Sequence, residues 1–202
     1  MIKPAHPIRP GSVITTNFGH DIDPIENIYR FHRGIDRAGG DGLVYVPSAP
    51  NKAIVENPST SSYGTLIRLI YKAGDSVFEI RIAHCVDFNP EFVTLAKTGG
   101  LIPAGMVMAH EGSVGKSTGP HSHIELIAIG ERNKCLDEYL VGYGGKPGSV
   151  FESDDLDEID KTSYEKWRGD YAVTHLGFHE CRAWDQRTGK YAIWMNPEIL
   201  GL

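Results

Sequence analysis

The feature that most constrains the fold is punctuation. Gly and Pro recur every few positions through the first part of the chain, at Gly11, Gly19, Gly34, Gly39, Gly40, Gly42, Pro47, Pro50, Pro58, Gly64 and Gly74. Gly carries a large entropic cost on ordering and Pro removes a backbone donor, so neither suits the interior of a long helix. The runs left between them, residues 43–46, 52–55, 65–71, 77–83 and 122–127, are short and rich in β-branched and aliphatic side chains. Each suits a strand. Phe78, Ile80 and Ile82 alternate with Glu79 and Arg81, the period of a strand with one buried face. Residues 72–76, between two such runs, read as a hairpin turn, and residues 90–96 as one short helix. The expected class is mainly β, an antiparallel sheet with a short helix and a C-terminal extension.

Composition narrows the partners. The 202 residues suffice for one domain with a real core, or one domain plus an appendage. A net charge of -6 gives no polyanion-binding surface, so nucleic acid is not an expected partner. No apolar run approaches the roughly 18 residues of a membrane-spanning helix. Residues 1–7 lack the apolar core of a signal peptide, and the expectation is therefore a protein that reaches its site of action by another route. Cys85, Cys135 and Cys181 are odd in number and widely spaced, which argues against a disulfide framework.

The texture changes near Glu131, which suggests a domain over residues 1–130 and an extension over 131–202. The extension opens into an acidic run, Glu152, Asp154, Asp155, Asp157, Glu158 and Asp160, read as a solvated stretch. Tyr164, Trp167, Tyr171, Trp184, Tyr191 and Trp194 follow. They pack the extension onto the domain, or else line a saccharide- or peptide-binding surface. His175 and His179 stand four apart, but Gly177 between them weakens the helix that would aim both at a second metal.

Three histidine-bearing segments carry the chemistry. The first is His32-Arg33-Gly34-Ile35-Asp36. On an extended strand His32 and Asp36 would stand roughly 13 Å apart, too far to share one zinc ion at bond lengths of about 2 Å; Gly34 permits the bend that would bring them together. The second is His84, at the end of the alternating run. The third is His121-Ser122-His123, where an i, i+2 pair on a strand points to one face with Cα atoms roughly 7 Å apart. Such a pair can place both rings on a metal, or one on the metal and the other beside its water, and spacing does not separate the two.

These segments, in this order, resemble a known family. His32-x-x-x-Asp36, then Ala83-His84, then Gly112-Ser113-Val114-Gly115-Lys116-Ser117-Thr118-Gly119-Pro120-His121-Ser122-His123-Ile124-Glu125 resemble the lysostaphin-like (LytM-type) zinc endopeptidases of peptidoglycan. Ile14-Thr15-Thr16-Asn17-Phe18-Gly19, Phe31-His32, Tyr63-Gly64 and residues 99–108 agree with it as well, and the resemblance covers about residues 11–130. It implies the lysostaphin-like (duplicated hybrid motif) fold. It implies a zinc held by His32, Asp36 and His123, with a water in the fourth position whose pKa the metal lowers. His84 and His121 would stand beside that water as catalytic residues, one helping to deprotonate it and both stabilising the oxyanion. The substrate it implies is the peptide cross-link of bacterial peptidoglycan. A phage-encoded protein, with phage tail proteins as partners or with release at lysis, is the expected setting. The alternative is a non-catalytic wall-binding or virion structural module. Two departures leave substrate choice open: Gly19 is followed by His20-Asp21-Ile22-Asp23 where the family often has Arg, and Cys85 stands where it usually has Leu. On a strand Cys85 would point away from His84, into packing.

Overall fold

The computed structural model describes residues 4–56, 62–73, 76–130, 183–185 and 190–202. Its frame is an antiparallel sheet. Strand β1 (Ser12–Thr16) pairs with β4 (Ile35–Gly39), while β2 (Gly19–Ile22) and β3 (Tyr29–His32) form a separate ribbon between them in sequence. Strands β6 (Lys52–Glu56), β7 (Leu66–Ala73) and β8 (Ser76–Ala83) follow as a meander. The long β10 (Ser122–Gly130) lies against β8 along one edge. Its other edge is shared, with β4 on residues 122–124 and β12 (Lys190–Met195) on residues 126–130. Strand β11 (Ala183–Asp185) pairs with β12, and a second small ribbon joins β5 (Leu43–Tyr45) to β9 (Val107–His110).

The expected strands are all present, and the β7–β8 hairpin closes between Ala73 and Ser76. The expected helix runs further, as α1 (Pro90–Thr98). It begins where Asn89 accepts a hydrogen bond from the Glu91 N–H, with Pro90 at the first turn, and ends at Gly99 in the left-handed conformation. The extension's last residues lie on the sheet: β12 continues the β10 edge, and Trp194, Met195, Leu200 and Leu202 are buried. The acidic run, the 175–179 histidine pair, Tyr164, Trp167, Tyr171, Cys135 and Cys181 lie outside the described residues.

The two faces of the sheet are both covered, but with different chemistry. Phe78, Ile80 and Ile82 meet Ile67, Leu69, Tyr71, Ile124 and Leu126 in an apolar core that also takes Phe92 of α1 and Val44 and Met108 of the β5–β9 ribbon. Cys85 is in that core, fully buried, and burial pushes its thiol up to about 12, so it is an inert packing residue. The alternation predicts a polar second face, and Glu79 and Arg81 do point there; yet Glu79 is only 1% exposed. It is tolerated because Arg68 grips it with two bonds, 2.7 and 2.8 Å, and Arg81 adds a third of 2.6 Å. A buried carboxylate needs such partners. This charged layer continues along β10 to Glu125 and His123, and so leads into the site.

Candidate metal centre

Sheet register assembles the site. His123 of β10 pairs directly with Asp36 of β4 on one side and with Ala83 of β8 on the other. Asp36 and His123 therefore stand side by side, and His84, the next residue after Ala83, reaches the same place. His32 ends β3 and arrives from the neighbouring ribbon. The bend between His32 and Asp36 lies at Arg33 and Gly34, and here a side chain is excluded. A Cβ on Gly34 would collide with the carbonyl of Ile124 and come within 2.9 Å of the His123 ring.

Three donor atoms converge. The His123 Nδ1 lies 2.8 Å from Asp36 Oδ1 and 3.0 Å from His32 Nε2, and the third edge, His32 Nε2 to Asp36 Oδ1, is 3.3 Å. A tetrahedral zinc with bonds of about 2.0–2.1 Å separates its ligands by roughly 3.3 Å, so the triangle needs to open by only a few tenths of an ångström to hold one. The far nitrogens are already committed. His32 Nδ1–H donates to the Asn17 carbonyl at 2.8 Å, and His123 Nε2–H to Glu125 Oε1 at 3.2 Å. Each such bond fixes the tautomer that presents the other nitrogen to a metal. Asp36 feels its burial, but hydrogen bonds from His123 and His32 outweigh that and keep it ionised well below the usual carboxylate range. Burial likewise opposes a charged His123, yet Asp36 and Glu125 prevail and lift its pKa to about 9.

His84 and His121 stand beside the triangle, their rings 4.7 Å apart. His84 Nδ1–H donates to the Val114 carbonyl at 2.7 Å, and His121 Nδ1–H to the Gly119 carbonyl at 2.8 Å. In a neutral ring this leaves the lone pair on Nε2, and Nε2 of His121 lies 3.7 Å from Asp36 Oδ1. Burial pushes His84 down to about 4, against the pull of the Val114 carbonyl, so it is neutral at physiological pH. His84 also adopts φ 66°, a left-handed conformation that costs a non-Gly residue about 1–3 kcal/mol and tends to mark functional positions. It is held there by its own N–H, which reaches the Tyr63 and Thr65 carbonyls at 3.1 and 3.2 Å. All five residues line one cleft of about 450 Å³.

The structure thus brings together the five residues assigned to one metal site from the sequence: His32, Asp36, His84, His121 and His123. Among the described residues no other group of three His, Cys, Asp or Glu side chains converges in this way. Sequence reasoning missed the support. Glu125 is 1% exposed and also accepts from Tyr63 Oη at 2.7 Å and Trp194 Nε1 at 3.1 Å. Its position two residues past His123 on a strand, hence on the same face, was the available signal. The carbonyls of Asn17, Val114 and Gly119 leave no such trace in side-chain identity.

No family model matches the chain. Over 118 residues, 58% of its length, the chain is 31% identical to the DD-carboxypeptidase/endopeptidase Mpg of Neisseria meningitidis serogroup B. The match takes in 25% of that protein, so the chain spans about a quarter of the length of the curated relatives it matches. The catalytic domain of the prophage-encoded protein EnpA from Enterococcus faecalis is 27% identical, over 61% of this chain and 85% of that one, with a TM-score of 0.45. The catalytic domain of the antimicrobial peptidase lysostaphin from Staphylococcus simulans is 25% identical, over 58% and 80%, also with a TM-score of 0.45. The chain is similar to the lysostaphin-type peptidases.

Proposed function

We propose that the protein is a zinc-dependent peptidase that hydrolyses peptide bonds in the cross-links of bacterial peptidoglycan. The observation that carries the reading is the convergence of His32 Nε2, Asp36 Oδ1 and His123 Nδ1 at zinc-ligand spacing beside two histidines oriented by backbone carbonyls. The similarity to Mpg and to lysostaphin supports the substrate class. Two imidazoles and one carboxylate are a donor set that zinc favours, with coordination left incomplete as in catalytic sites. Zinc at this triangle would supply Lewis acidity, making water a nucleophile near neutral pH and polarising a carbonyl. His32 and His123 are held in register by Asn17 and Glu125. His84 and His121 offer Nε2 as proton acceptor, and once protonated they face the developing oxyanion. The cleft walls of Thr15, Thr16, Ala38, Gly119 and Pro120 suit a strand of small residues, as stem and bridge peptides are.

The test is digestion of purified peptidoglycan of both cross-link types, with and without a zinc chelator, followed by mass analysis of the fragments. New amino groups that vanish with the chelator are expected, and the masses identify the bond. No release by folded, zinc-loaded protein on either wall type would overturn the reading in favour of a wall-binding or structural module. The finer placement, aboard a phage tail or freed at lysis to act at the cell wall, rests on the sequence expectation and on no contact in the structure. Its test is the presence of the protein in purified particles, and absence from particles and lysates alike would remove it.

A further inference from the structure

The loop between Gly112 and His121 carries both backbone carbonyls that orient the catalytic pair: Val114 for His84 and Gly119 for His121. It is closed at its base, where the His121 N–H donates to the Gly112 carbonyl at 3.0 Å. Within it Ser117 Oγ meets Ser113 Oγ at 3.0 Å and donates to the Gly119 carbonyl at 2.8 Å, the Val114 N–H returns to the His84 carbonyl at 3.4 Å, and the Lys116 N–H reaches the Ser62 carbonyl at 2.8 Å. Three glycines, Gly112, Gly115 and Gly119, soften its backbone.

At its apex Lys116 leaves the loop and crosses to the β2–β3 turn. Its ammonium lies 2.8 Å from Asp23 Oδ2 and 2.8 Å from Glu26 Oε1. The two carboxylates are not equivalent. The Asp23 side chain is 2% exposed and that of Glu26 53% exposed, so Glu26 is screened by water and contributes little. Asp23 is built in. Its Oδ1 accepts from the Ile25 and Glu26 N–H groups at 2.9 and 3.0 Å, its N–H donates to the Ile28 carbonyl, and its own carbonyl accepts from Asn27. Asp23 thus organises the turn with one oxygen and receives Lys116 with the other. Asp23, Pro24 and Ile25 line the cleft on one side and Lys116 to Pro120 on another, so the ion pair ties two walls of the same cleft together.

We infer that Lys116 is a positioning residue: its bond to Asp23 holds the loop that orients His84 and His121, and with it the distance between the cleft walls, while the zinc triangle stands independently of it. The ligands draw their support from elsewhere, from Asn17 and from Glu125 with Arg81, Tyr63 and Trp194. The inference rests on the peptidase reading for its rate readout but has a second readout that does not.

The experiment uses the full chain and three variants. Lys116→Met removes the charge and keeps the stem. Asp23→Asn keeps the Oδ1 acceptor of the turn and removes the partner charge. Lys116→Arg restores a cation. Each is measured for zinc stoichiometry, for kcat and KM on a soluble cross-linked muropeptide, and by nitrogen-15 NMR for the Nδ1–H signals of His84 and His121. Lys116→Met and Asp23→Asn should keep one zinc per chain, lose roughly tenfold or more in kcat through misplaced histidines, and show faster exchange of both Nδ1 protons. Lys116→Arg should recover most of the rate and the slow exchange. Unchanged kcat with unchanged exchange would overturn the inference, and so would loss of zinc in step with rate, because the pair would then be holding the fold or the triangle. If the wild type cleaves nothing, the peptidase reading fails, while the proton exchange still decides whether Lys116 holds the histidines.

Discussion

Replacing Gly34 by Ala adds a single methyl group at the point where the chain turns from His32 toward Asp36. A Cβ at this position would overlap the Ile124 carbonyl oxygen, and would sit 2.9 Å from the Ile124 carbonyl carbon and from Cε1 of His123, about half an ångström inside the 3.4 Å of ordinary contact. The obstacle is no flexible side-chain tip. Ile124 belongs to β10, flanked there by Ile35 and Ile82, and both are fully buried, so the Arg33–Gly34 turn must be the part that moves. Overpacking of this kind costs about 1–3 kcal/mol, and in a chain of this size each kcal/mol lowers Tm by about 2–4 °C. The larger consequence is local. Moving the turn carries His32 away from His123, and a zinc site tolerates only about ±0.2 Å in its ligand distances. Gly34→Ala should therefore fold, melt several degrees lower, and bind zinc at least about tenfold more weakly, the size of loss seen when even an outer partner of a ligand is removed. Differential scanning calorimetry and a competitive zinc titration measure the two effects. An Ala variant with wild-type Tm and zinc affinity would show that the close approach at Gly34 does not govern the site.

Other outcomes follow from the same geometry. His123→Ala should lose zinc and activity together, whereas His121→Ala should lose activity and keep zinc; equal zinc loss in metal analysis of both would make His121 a ligand. Glu125→Gln keeps an oxygen for His123 Nε2–H but removes the charge that Arg81 faces, and should weaken zinc by about tenfold in the same titration, with a mostly intact fold by circular dichroism. In the metal-free protein the pKa of His123 is raised to about 9, so the stability it contributes is fully present below the unfolded value near 6.5 and is lost as pH rises through 9. Zinc needs its Nδ1 unprotonated, so the sign reverses for binding: affinity should fall about tenfold per pH unit below 9, with close to one proton released per zinc at neutral pH. Calorimetric titrations in buffers of different ionisation enthalpy count that proton, and finding none released at pH 7 would contradict the raised pKa.

Much of the fold was legible because its signals are local. Alternation along residues 77–83 announced β8, and Asn89, Pro90 and Gly99 bracket α1 with ordinary caps. The five site residues were legible only as a set, since neither His32 nor His84 alone differs from a structural histidine. The ribbon of β2 and β3 escaped strand assignment because residues 19–32 lack alternation; its pairing and the capped turn at Asp23 make it. The burial of Glu79 also escaped, since the alternation of Phe78 to Ile82 states which side chains share a face and not what covers that face. Its cover depends on Arg68, from the neighbouring strand, at a register no local pattern encodes.

That register is the common cause of site and support. Along β10 every second residue, His123 and then Glu125, points to the charged face, while Ile124 and Leu126 fill the core. A slip of one residue against β4 or β8 would bury His123 among Ile80, Ile82 and Ile35 and expose Ile124 to the charges. The apolar core therefore discriminates strongly against every register but the one that sets His123 beside Asp36 and Ala83. The zinc ligands need not find one another by their own attraction. They are placed by Ile80, Ile82, Ile124 and Leu126, side chains that never touch the metal. The same reasoning explains why Glu125 and Arg81 face each other: they stand opposite in the β8–β10 ladder, so the residue that orients His123 is fixed by the same packing that fixes His123 itself.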